Sequence, residues 1–155
     1  MRVPLSACRH KLAILWFVGS FLLVVLLALQ HALGHYGDDP DSAWGWLLPN
    51  VFPTLSLMMG VLAAAQRSKH PDKGDVDRTF FRLSWAVSAA YLGLLLFTVL
   101  VQPFARLDPL DLMESSKLYL GPFQGLATGM LAVFFMSASD DAAKPPARTA
   151  SAERR

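Results

Sequence analysis

Four long stretches of this chain are almost free of charge: LAILWFVGSFLLVVLLALQHALG (12–34), WLLPNVFPTLSLMMGVLAAA (46–65), FFRLSWAVSAAYLGLLLFTVLVQ (80–102) and LYLGPFQGLATGMLAVFFM (118–136). Their hydrophobic positions do not alternate, which argues against half-buried strands. Each holds 19 to 23 residues. At a rise of about 1.5 Å per residue, that length crosses a hydrocarbon core of roughly 30 Å. Backbone polar groups inside a bilayer must bond within their own segment, so such runs are expected as helices. The pattern predicts an all-α membrane protein with four transmembrane helices.

The polar segments divide the rest: a basic N-terminus (1–11), a first helical hairpin (12–65), a basic loop (66–79), a second hairpin (80–136) and a tail (137–155). The tail, SASDDAAKPPARTASAERR, is rich in Ala, Ser, Pro and charge. It has nothing to bury and is expected to be disordered.

Charge placement predicts orientation. Arg2, Arg9 and Lys11 precede the first block, and Arg67, Lys69, Lys73 and Arg78 lie between the second and third. Lys and Arg near helix ends are retained in the cytoplasm. HYGDDPDSAWG, after the first block, carries three aspartates and no Lys or Arg. Both termini are therefore expected inside, in a bacterial-type inner membrane, with two short loops outside. Trp44 and Trp46 suit an aromatic belt at the outer interface. Arg82 stands close enough to the cytoplasmic surface to snorkel. The net charge of +2 is a sum of segregated faces; it defines no nucleic-acid patch.

Shifting the chain by 69 residues lays the first hairpin on the second without a gap. Arg9 falls on Arg78, Trp16 on Trp85, Asp39-Pro40 on Asp108-Pro109, Pro53 on Pro122 and Gly60 on Gly129, among 13 identities over residues 9–64. Proline, glycine and aspartate carry most of the weight, since leucine matches are common in any apolar pair. A tandem duplication of a two-helix hairpin follows as an expectation. Each copy has an even number of spans, so the copies would be parallel, about a two-fold axis along the membrane normal. The Asp-Pro pairs are read as chain reversals between helices.

Two short motifs resemble processing sites. LSAC (5–8) has the residues of a lipoprotein cleavage site but only MRVP before it, so Cys8 is expected as a lone cytoplasmic thiol. Ala32-Leu33-Gly34 has the small-x-small form of a signal peptidase site. The apolar segment before it is longer than a usual signal core, and its match to the third block favours retention.

Residues four apart share a helix face, so Gly121, Gly125 and Gly129 form one smooth strip, and Ser56, Gly60 and Ala64 form a second. Small strips let helix backbones approach closely in lipid. The second and fourth helices are accordingly expected inside the packing, with the first and third further out. Phe123, Met130 and Phe134 would face lipid or bulky neighbours. Asn50, Thr54, Gln124 and Thr128 are the candidate polar lining, for interhelical hydrogen bonds or for a pore.

Chemistry is sparse. The blocks contain no Asp, Glu or Lys, which argues against ion-coupled carriers. His31 and His35, spaced i, i+4, are weak metal candidates; His10 and His70 lie at the other face. Catalysis would need His35 with outer aspartates such as Asp39, Asp41, Asp108 or Asp111, and no nucleophile stands with a base. No cofactor is expected. The expected function is non-enzymatic: an inner-membrane subunit or effector that packs through its small-residue faces with itself or another membrane protein. The alternatives are an oligomeric passive channel, or membrane-permeabilising protein, around helices two and four and, less favoured, a small lipid-facing enzyme.

Overall fold

The computed structural model describes residues 2–37, 39–67, 75–104 and 108–142. Four helices dominate: α1 (Leu5–Ala32), α2 (Pro40–Arg67), α3 (Arg78–Val101) and α4 (Pro109–Ala142). All four are long and apolar enough to cross a membrane. A 3-10 turn, Gln102–Phe104, extends α3. At the other end of the bundle, strand β1 (Arg2–Pro4) pairs antiparallel with β2 (Asp75–Asp77), setting Val3 opposite Val76. This strand pair ties the N-terminus to the segment before α3, and three-residue strands leave too short a pattern to read from sequence.

Helices α2, α3 and α4 begin before the apolar blocks because capping, not hydrophobicity, decides where they start. Asp39 accepts the backbone N–H of Ser42 at 3.3 Å and its hydroxyl at 2.6 Å. Asp108 accepts the N–H of Leu110 at 2.8 Å, and its carbonyl accepts that of Leu112 at 3.1 Å. Each aspartate is thus an N-cap, and the proline after it fills the first helical position, where no N–H is needed. Asp77 does the same for α3, accepting from the Thr79 N–H at 3.1 Å.

The reversal after α1 is made by glycine. Gly34 donates to His31 O at 2.9 Å and His35 to Gln30 O at 3.0 Å, with Gly34 at φ 72°. This is the paired closure that satisfies the last helical carbonyls, and it needs a left-handed residue after the cap. Ala32-Leu33-Gly34 is therefore the closing turn of α1.

Around the bundle, α1 touches α2 and α3, while α4 touches the same two helices; α1 and α4 meet far less. Like helices stand side by side, α1 beside α3 and α2 beside α4. A two-fold axis along the membrane normal would set the members of each pair across from one another. No helix is central. The fourth, expected inside, buries the smallest share of its span, 28% against 39% for the third.

Inward positions recur at spacings of three, four or seven residues: Leu12, Trp16, Leu23 and Leu27 in α1; Leu47, Val51, Thr54 and Met58 in α2; Ser84, Ser88, Tyr91 and Leu95 in α3; Leu120, Ala127, Leu131 and Phe134 in α4. Such spacing makes one face per helix. Phe134, stacked on Phe80 with ring centroids 5.3 Å apart, meets bulky neighbours inside the bundle, whereas Phe123 is exposed. Trp46, expected at the lipid interface, is buried and donates its indole N–H to the Ser116 hydroxyl at 3.0 Å. Helix α4 runs six residues into the tail expected to be disordered, because the SASDDA stretch contains no glycine or proline to stop it; residues 143–155 and 68–74 lie outside the described residues.

Candidate functional site

Proline inside a helix leaves the carbonyl four residues earlier without its N–H partner. In α2, Pro53 does this to the carbonyl of Pro49, and Gln124 of α4 supplies the donor, its Nε2 lying 3.1 Å from Pro49 O. A related arrangement closes the C-terminal end of α3. Pro103 cannot donate to Val99 O, and Gln30 of α1 does so at 3.0 Å. Two glutamines thus join like helices, α2 to α4 and α1 to α3, by bonding carbonyls that a proline four residues on cannot reach. Tyr36 reinforces the second junction, with its hydroxyl at hydrogen-bonding distance from the side-chain oxygens of Gln30 and Gln102. Burial pushes the Tyr36 phenol up from 10.0 to about 12, so it stays a neutral donor.

The polar residues expected along a pore are largely occupied otherwise. Asn50 donates to Trp46 O at 2.6 Å, and the Tyr91 hydroxyl reaches Asn50 O at 3.1 Å and Asn50 Oδ1 at 3.0 Å. Gln124 serves the Pro49 carbonyl. Thr54 is buried, and Thr128 is half-buried. Asn50 and Gln124 thus knit helices together in the single chain.

The small-residue faces point the other way. Ser56, Gly60, Gly121, Gly125 and Gly129 are all exposed, and a methyl group built on any of the four glycines meets nothing within 4 Å. The chain's own helices do not use the strips; they lie open on the outside of α2 and α4. The Ala64 side chain lies outside the described residues. Close packing of a glycine occurs elsewhere: a methyl on Gly19 of α1 would come within 2.9 Å of the Leu92 side chain of α3.

At the end of the bundle opposite the strand pair, a cleft of about 450 Å³ is lined by His35, Tyr36, Asp39 and Asp108. Both carboxylates already cap helices. His31 is exposed, and no group of three His, Cys, Asp or Glu suited to a metal occurs among the described residues. The cleft brings His35 near Asp39 and Asp108 without adding a nucleophile.

Several interior residues carry more of the structure than the sequence suggests. Arg9 is buried at the strand-pair end and donates through Nε to Phe134 O of α4. In the sequence Gln30 and Tyr91 are only polar atoms within apolar runs, and Tyr36 lies in the acidic segment after the first block. The available signal was a proline in one helix and an unpaired amide in another, and it becomes specific only once the helices are known to be neighbours. Comparison with known proteins adds nothing further: no family model matches the chain, and no curated protein or solved structure is significantly similar to it.

Proposed function

We propose that this protein is a non-enzymatic, multi-pass protein of a bacterial-type inner membrane, with both termini cytoplasmic, that acts as a subunit or effector through helix association. The observation that carries the reading is the open small-residue face: Gly121, Gly125 and Gly129 of α4 and Ser56 and Gly60 of α2 are exposed and unfilled by the chain itself. In lipid, a smooth strip gains from close backbone approach by another helix. The partner is a second copy of the chain or another membrane protein. The basic segments before α1 and α3 support the orientation, and the shared Asp-Pro caps of α2 and α4 support an origin by duplication.

The open geometry makes the test clean. Gly125→Leu and Gly129→Leu add side chains at exposed positions where a Cβ meets nothing within 4 Å, so the monomer should fold unchanged. Crosslinking in membranes and sizing in native detergent are expected to show loss of the associated species. Association at the original level in both variants would overturn the reading.

A passive channel built around α2 and α4 is the second reading, motivated by the inward Thr54 and the half-buried Gln124 and Thr128. It ranks below the first because Asn50 and Gln124 are bonded to helix carbonyls. Planar bilayers holding the protein at high density are expected to show no conductance. Currents that change with Gln124→Leu or Asn50→Leu would reverse this ranking.

A further inference from the structure

Polar atoms of four side chains in the bundle interior find no hydrogen-bond partner among the described residues: Trp16 Nε1 and Ser20 Oγ of α1, Thr54 Oγ1 of α2 and Ser88 Oγ of α3. All four residues are at most 2% exposed. Helical spacing relates them to one contact. The Trp16 ring lies 5.8 Å from that of Tyr91, and the Tyr91 hydroxyl bonds Asn50. Thr54 is one turn from Asn50 and Ser88 one turn from Tyr91, both towards the strand-pair end, while Ser20 is one turn from Trp16. Three helices therefore direct polar atoms at the core within a turn of a single fixed contact.

A helical hydroxyl can satisfy itself by donating to the carbonyl four residues back. Ser84 does so to Phe80 O at 2.9 Å and Thr98 to Leu94 O at 2.9 Å, in the same α3 helix that holds Ser88. Ser88, Thr54 and Ser20 do not. The indole of Trp16 has no such option, being a donor only. Leaving these groups unmade in a bilayer interior costs free energy comparable to several lost hydrogen bonds.

We propose that this neighbourhood is an internal hydration site, binding one or two water molecules between α1, α2 and α3 at mid-bundle. Water suits the donor set: its oxygen accepts from Trp16 Nε1 while its protons go to the Thr54 and Ser88 oxygens. Two to four polar partners are what a buried water requires. The site is independent of the outward glycine faces.

The test is water-edited solid-state NMR on the full chain in lipid bilayers, with ¹⁵N-labelled tryptophan. The four indoles are assigned by single Trp→Phe variants. Magnetisation from water is expected to reach the Trp16 indole in the unsubstituted protein. In Thr54→Val with Ser88→Ala, the initial transfer rate at Trp16 should fall about threefold, as two of the water's partners are lost. Trp46, already bonded to Ser116, serves as the unchanged reference. Absence of transfer to Trp16 in the unsubstituted protein overturns the proposal, and so does an equal rate in the double variant. Should the double variant fail to assemble, the unsubstituted measurement and Thr54→Ser, which keeps the hydroxyl and should keep the transfer, decide the matter.

Discussion

Trp16→Ala is expected to destabilise the bundle strongly, while Trp85→Ala, its counterpart in the repeat, should leave stability nearly unchanged. Trp16 heads the fully buried side chains by volume, whereas Trp85 is 44% exposed. In a bilayer the transfer part of a truncation shrinks, since lipid tails are as apolar as the core. The cavity part remains, because the walls around the missing indole lose their dispersion partners. At about 24 cal/mol per Å³ of unfilled volume, losing most of an indole costs about 3 kcal/mol. Heating the detergent-solubilised protein and following the monodisperse fraction by size-exclusion checks the contrast. Equal midpoint losses in the two variants would mean that α1 does not turn its Trp16 face to the core.

This pair of tryptophans shows where the sequence stops being legible. Their match at a spacing of 69 residues pointed to a repeated element, yet one faces the core and the other faces outward. A helix that is apolar all round carries no stripe to say which side is inside, and lipid and core make the same demand on a side chain. Span number and length were readable because the bilayer sets both. The Asp-Pro pairs were readable as chain punctuation, and the structure sharpens them into caps with named donors. The glycine strip was readable as a surface, but the direction it faces was not. Gln30 and Gln124 were least legible of all: the need each one meets is created by a proline in a different helix.

That dependence gives the second large prediction. Gln124→Leu removes the donor to Pro49 O and leaves a backbone carbonyl unpaired on a surface that lipid covers. The expected loss is about 1 to 2 kcal/mol, the scale of an interhelical hydrogen bond whose partner is left unsatisfied. The decisive measurement is a double-mutant cycle with Pro53→Ala. Alanine at position 53 restores a backbone N–H four residues after Pro49, so α2 can close its own ladder and the glutamine becomes dispensable. In the Pro53→Ala background, Gln124→Leu should then cost less than about 0.5 kcal/mol, a coupling of roughly 1 kcal/mol between residues in contact through one carbonyl. Gln30→Leu with Pro103→Ala is the parallel cycle at Val99 O, and it should couple with the same sign. Strictly additive losses in both cycles would sink the account, because a glutamine that merely packs against its neighbour has no reason to lose its value when a proline in another helix is replaced.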